Sequence, residues 1–189
     1  MKITAVNTLA SWAGLRNWVL VKIETDTELY GWGEATLEGK EDVVMAEIER
    51  MGQQLIGHDP SRVEHIWQLL YRHAFWRGGA VHNSALAGID QALWDLRGKE
   101  WKVPVYQLLG GKVREFIRLY THVGIYEPDR MEEEARRDVE DGYTAMKTGA
   151  WTGDGLLPNR ERIELFAERI GRLRNTVGDS IDIMVDDHG

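Results

Sequence analysis

The stretch IDIMVDDHG (Ile181–Gly189) decides how the second half of the chain is read: an apolar run of strand type passes into two acids, a histidine and a glycine. Upstream of it, PNRERIELFAERIGRLRNTVG (Pro158–Gly178) has helical periodicity, YTAMKTGA (Tyr143–Ala150) reads as a strand, RMEEEARRDVEDG (Arg130–Gly142) as a helix closed by glycine, and IRLYTHV (Ile117–Val123) as another strand. Strand, helix, strand, helix, strand is the opening of a parallel β/α structure, because parallel neighbours need a crossover connection. Three such strands with two crossover helices leave one face and both edges uncovered, as the first part of a larger β/α fold would.

The first half has a different grammar. Lys2–Asn7 alternates weakly, WVLVKIE (Trp18–Glu24) and YGWGEA (Tyr30–Ala35) are separated by turn-rich residues, and the three runs predict an antiparallel meander. TLASWAGLRN (Thr8–Asn17) reads as a long connection carrying Trp12 and Arg16, of the kind in which specificity often resides. From Glu41 the period becomes helical. Val44, Ile48, Met51 and Leu55 form one stripe with Gly57 as a stop; Asp59-Pro60-Ser61 opens a second helix with Val63, Ile66, Trp67 and Leu70 inward. WRGGAVHN (Trp76–Asn83) interrupts, and Ser84 is the expected cap of a third helix, SALAGIDQALWDLRG, with Gly98 near its end. A short helix, Val105–Leu109, stops at Gly110-Gly111. The fold class is therefore an α+β domain over residues 1–115, a meander plus helices, followed over residues 116–189 by the first three β/α units of a TIM-like barrel.

Composition narrows the function. A net charge of −8 with dispersed basic residues disfavours nucleic acid and anionic membrane as partners. With no cysteine, a metal would be held by oxygen or imidazole. There is no apolar run long enough for a bilayer, and Met1-Lys2-Ile3 leads directly into a strand pattern; a cytoplasmic chain is expected.

Along a strand, side chains alternate, so Asp186 and His188 share one face and Asp187 takes the other. At the C-terminal end of a parallel strand both would stand at the rim where β/α folds carry their chemistry. Asp186 could ligate a hard cation and His188 could move protons near neutral pH; the same string also reads as a polar turn after a buried strand. Lys147, at the corresponding end of the strand before, is a candidate for binding a carboxylate, or a snorkelling surface lysine. His122, near the end of the first strand, is a similar candidate, or a structural hydrogen-bonding histidine. Arg77, beside Trp76 and two glycines, could face an anion, although an interhelix turn with Trp76 packed in the core accounts for the same string. Trp67, Tyr71, Phe75 and Trp94 stand at helical spacings and read as core.

Together, MKIT, VKIETD with GWGEA, LIGHDPSRVEHIWQLLYR, WRGG, SALAGIDQALWDLRGK, PVYQLLGGKVR and DDHG make the chain resemble the N-terminal part of the enolase superfamily. The resemblance spans essentially all 189 residues, lies in the mandelate racemase and muconate-lactonizing branch, and is greatest to acid-sugar dehydratases of the D-galactonate dehydratase type. It implies a capping domain followed by a modified β/α barrel, a homo-oligomer, a sugar-acid substrate, and Mg²⁺ stabilising the enediolate formed when the α-proton leaves. It also implies roles: Asp186 as the first metal ligand, His188 as the acid that protonates the departing hydroxyl, and Lys147 as the first lysine of a Lys-x-Lys pair. The second lysine position is Gly149, which argues against racemase or cycloisomerase chemistry. Arg16, Asn17 and Trp18 fall at the end of the specificity loop, where the pattern has Arg-Trp, and with His122 and Arg77 they complete the substrate-binding candidates.

The remaining carboxylate ligands and the histidine base of that pattern are expected beyond Gly189. A complete barrel takes about 250 residues, of which Phe116–Gly189 supplies under a third. The 189-residue chain alone is therefore expected to be inactive. The competing reading is a non-catalytic capping chain that needs a partner.

Overall fold

The computed structural model describes residues 1–14, 16–73, 75–125, 127–149 and 160–186. The chain divides into two compact units, Met1–Val113 and Arg114–Gly189.

In the first unit, β1 (Ile3–Trp12), β2 (Asn17–Thr25) and β3 (Tyr30–Glu34) form an antiparallel sheet in that order. Alternation in β2 sends Val19, Val21 and Ile23 inward, where they meet the apolar stripes of α1 (Glu41–Gln53), α2 (Val63–His73) and α3 (Ala80–Trp101). Val44, Ile48, Met51, Ile66, Leu70, Leu86, Ile89, Leu93 and Leu96 are buried in this core. The short α4 (Val105–Leu108) follows.

The glycines of YGWGE set the distance between sheet and helix. A Cβ at Gly31 would lie 2.0 Å from the Ala92 carbonyl oxygen, and one at Gly33 2.0 Å from that of Gly88. On the helix side, Gly88 gives the same freedom, since its Cβ would lie 2.7 Å from that of Ala35. At this separation α3 closes the sheet edge. Asp95 accepts from the Trp32 N–H (2.8 Å), Lys99 donates to the Tyr30 carbonyl (2.8 Å), and Gln91 both accepts from the Glu34 N–H (3.1 Å) and donates to its carbonyl (3.2 Å). Three side chains at i, i+4 and i+8 on one helix face thus take the place of a fourth strand, protecting β3 from edge pairing.

Several sequence expectations change here. Thr8–Asn17 is mostly ladder: Thr8, Leu9, Ala10, Ser11 and Trp12 pair with Val21, Leu20, Val19, Trp18 and Asn17. The connection is only residues 13–16, closed by Ala13 N–H to the Arg16 carbonyl (2.9 Å). This end of the hairpin has no buried face beyond Val19, so the alternation that reveals a half-buried strand is missing from it. Helix α3 starts at Ala80 after Gly78 and Gly79, both with positive φ, which leaves Ser84 inside the helix rather than at its cap. It runs through Gly98 and ends on Lys102 in the left-handed conformation (φ 56°), with Val103 N–H to the Gly98 carbonyl and Lys102 N–H to that of Lys99. Gly98 serves close packing instead: a Cβ there would lie 2.9 Å from the Val103 carbonyl oxygen. Trp67, Tyr71 and Trp94 pack on the core, whereas Phe75 and Trp76 are 88% and 85% exposed and touch edge to face, against the core placement expected for both.

Asp90 of α3 makes the stability of this unit depend on pH. Burial, reinforced by the charge of Glu64 and opposed by a hydrogen bond from Trp94, pushes its carboxyl above the usual range. A raised folded-state pKa favours the protonated form in the native state. Its stabilising contribution is full below the unfolded pKa and is lost as pH rises through the folded one. Asp90→Asn is expected to raise the thermal midpoint at pH 7 and to have a smaller effect near pH 4, as read by circular dichroism.

The second unit has β4 (Thr121–His122), β5 (Ala145–Gly149) and β6 (Asp182–Asp186) in a parallel sheet of that order, with α5 (Pro128–Glu140) and α6 (Arg160–Val177) as crossovers. Val123, Ile125, Met131, Ala135, Met146, Leu173, Val177 and Ile181 form its core. The first strand is shorter than expected. Among the described residues Ile117–Tyr120 make no ladder, and Ile117, Leu119 and Tyr120 are exposed. In place of a longer ladder, the Arg118 guanidinium donates to the Thr144 hydroxyl (2.7 Å) and carbonyl (2.6 Å) and to Asp182 (2.6 Å), clasping the N-terminal ends of β5 and β6. Gly171, exposed inside α6, has nothing within 4 Å of an added Cβ. Gly171→Ala is expected to stabilise this unit by about 0.5–1 kcal/mol in urea denaturation, the helix-propensity difference.

Candidate functional site

The parallel register places the candidate residues of the second unit on one face. His122 lies opposite Lys147, Lys147 opposite Met184, and Gly149 opposite Asp186, so His122, Lys147 and Asp186 share a side of the sheet. Met146 and Ile183, one residue out of phase, pack on the core formed with α5 and α6. The other face, with its carboxylate, ammonium and imidazole, is the one that would point into a closed barrel.

Lys147 and Asp186 are ion-paired through Nζ and Oδ2, with side chains only 27% and 26% exposed. The hydrogen bond to Asp186 raises the Lys147 pKa; desolvation opposes it, and the charges of Asp186 and Tyr120 add to it. Lys147 pairs in register with Met184, two residues before Asp186, and the residue directly across from Asp186 is Gly149, so the ion pair runs diagonally toward the strand end. The Tyr120 ring lies 6.0 Å from Nζ. Tyr120 is a site neighbour that the sequence reading passed over; its spacing of two from His122 was the available signal. His122 is exposed and lines a hollow with Gly124, Glu127, Arg130 and Glu134.

The remaining candidates are placed differently. His188 lies outside the described residues. Arg16 sits in the hairpin turn, ion-paired with Glu38 at 3.0 Å, and Asn17 and Trp18 begin β2, exposed, opposite Trp12 and Ser11. Arg77 is exposed in the segment before α3. One polar cluster was not foreseen: the Glu47 carboxylate accepts two bonds from Arg50 (2.8 and 2.6 Å) and lies 3.2 Å from Nδ1 of the buried His82. Its pKa is lowered chiefly by Arg50. The Glu47–Arg50 spacing was legible, but the approach of His82 from another helix was not.

As for a metal, Asp186 is the hard oxygen donor that Mg²⁺ takes, and it stands at a strand end. Among the described residues no three His, Asp or Glu side chains converge on one point. The donor fits Mg²⁺ in kind, as one ligand of a set.

Residues 4–110 match the family model described as the mandelate racemase / muconate lactonizing enzyme N-terminal domain. The chain belongs to this family. Its first unit is accordingly the capping domain of an enolase-superfamily protein, and its second a partial β/α barrel. All 189 residues align with D-galactonate dehydratases of Pectobacterium atrosepticum and Verminephrobacter eiseniae, each 40% identical, and cover 49% of either protein. The chain thus spans about half the length of the curated relatives it matches. Among solved structures, an enolase from Pantoea ananatis with bound D-gluconate and Mg is similar at a TM-score of 0.84 and 33% identity, over 98% of this chain and 53% of that one. A member of the enolase superfamily from Salmonella Typhimurium gives 0.87 and 32%, over 96% and 53%. Among the described residues of this family member, no helix is long and apolar enough to cross a membrane.

Proposed function

We propose that this chain supplies the capping domain and first three barrel strands of a Mg²⁺-dependent acid-sugar dehydratase. The observation that carries the reading is the placement of Asp186 and Lys147 together on one face at the C-terminal ends of adjacent parallel strands. The D-galactonate dehydratase relatives and the structure holding D-gluconate and Mg support the substrate class and the metal.

In this reading Asp186 would be one ligand of Mg²⁺, which when bound would supply positive charge to offset the negative charge developing on a substrate carboxylate. Lys147 offers an ammonium to the same carboxylate, and its apolar stem keeps it at the strand end. His188, two residues beyond Asp186, protonates the β-hydroxyl as it departs, a step that needs an acid near neutral pH. Gly149 leaves the sheet face without a second lysine, which favours dehydration over racemisation or cycloisomerisation. Arg16, Asn17, Trp18, His122 and Arg77 are the further substrate-binding residues proposed.

The test joins Met1–Gly189 to the remaining half of the Pectobacterium relative and screens aldonic and aldaric acids with Mg²⁺ for 2-keto product. Dehydration of an acid sugar is the expected result, and inactivity of a folded chimera towards all of them would count against the reading. In the active chimera, His188→Asn is expected to suppress hydroxyl loss by about 10²-fold or more while α-proton exchange with solvent persists. Equal loss of both would remove His188 from the acid role.

A further inference from the structure

The Lys147–Asp186 pair has a consequence for metal binding, resting on the assignment of Asp186 as a ligand. The ammonium sits on a carboxylate oxygen that a divalent cation would need, and both groups are partly withdrawn from water. Two cations cannot share that oxygen without mutual repulsion. We infer that Lys147 is an internal placeholder: it holds Asp186 in position while no metal is bound, and it competes with a divalent cation for the carboxylate.

Two observations support this. Lys147 pairs with Asp186 although its own register partner is Met184, so the stem is extended along the strand rather than standing across from its neighbour. The ammonium, once displaced, remains tethered at the same strand end, with the Tyr120 ring beside it. Metal entry therefore converts Lys147 from a partner of Asp186 into an available cation for an anionic ligand. Lys147 acts here as a positioning residue that couples the two binding events, since each ligand removes a competitor of the other.

The test measures Mn²⁺ binding to the chimera of Met1–Gly189 with the remaining half of the Pectobacterium relative, which supplies the rest of a ligand set, by the electron paramagnetic resonance signal of the free ion, with calorimetry as a second readout. Lys147→Gln and Lys147→Met, both neutral and of similar length, are expected to bind Mn²⁺ about fivefold more tightly than the unsubstituted chimera, the factor contributed by a partly exposed ion pair. Lys147→Arg, which keeps the competing charge, is expected to stay near the native affinity. Asp186→Asn is expected to abolish the gain in the Lys147→Gln background. Circular dichroism establishes that each variant is folded. A lysine with a purely structural role would leave the affinity unchanged or weaker on neutralisation, and that result overturns the inference alone. Mn²⁺ binding that does not depend on Asp186, or none in any variant, overturns both the inference and the ligand assignment.

Discussion

Asp186→Asn in the active chimera is expected to lower Mg²⁺-dependent dehydration by about 10³-fold or more. The substitution keeps the size of the side chain and its place at the end of β6, but replaces an anionic oxygen donor with a neutral amide. Hard cations such as Mg²⁺ are held chiefly by charged oxygen ligands and dehydrate reluctantly, so losing one carboxylate weakens both occupancy and orientation. The electrostatic stabilisation supplied by a bound cation is several kcal/mol, and about 4 kcal/mol corresponds to a thousandfold in rate. The measurement is turnover against Mg²⁺ concentration. Residual activity restored to the native level by excess Mg²⁺ would reduce Asp186 to a contributor to affinity; undiminished turnover would remove it from the site.

Gly33→Val is expected to destabilise the capping domain by about 3 kcal/mol or more. The Cβ of any other residue would fall 2.0 Å from the Gly88 carbonyl oxygen and 2.9 Å from the Ala92 nitrogen. Both obstacles are helix backbone, so no rotamer change relieves the clash, and β3 must move away from α3. Overpacking of this kind costs about 1–3 kcal/mol. The same movement strains the bonds from Gln91, Asp95 and Lys99 to the strand edge, each worth about 0.5–1.5 kcal/mol. A fall in the urea midpoint monitored by tryptophan fluorescence checks this, with Gly149→Ala as the control, because nothing lies within 4 Å of its added Cβ. A midpoint for Gly33→Val equal to that of the control would show that sheet and helix separate freely at this point.

Legibility followed the physics of each segment. The stripe Val44, Ile48, Met51 of α1 and the alternation Val19, Val21, Ile23 of β2 were readable because each element buries one face only. The shared face of Asp186 and Lys147 followed from alternation once the strands were taken as parallel and in register, and the ladder places Gly149 opposite Asp186. The Trp12–Asn17 end of the hairpin carries no strand signature in the sequence because neither face there is buried. Ser84 and Gly98 carry ordinary capping chemistry, yet one lies inside α3 and the other at a backbone crossing. Phe75 shows that helical spacing of an aromatic does not establish burial, and Trp76 that a tryptophan in an interhelix turn need not fold back onto the core.

The sequence by itself determined the order of elements, the change from antiparallel meander to β/α repeat, and the residue types available at the strand ends, because periodicity and turn chemistry are local properties. Only the tertiary structure decided that GWGE lets α3 approach β3 closely enough for Gln91, Asp95 and Lys99 to close the edge, that Arg118 substitutes for part of a ladder, and that Lys147 reaches past its register partner to hold Asp186. Each depends on distances between residues far apart in the chain, which no local pattern encodes.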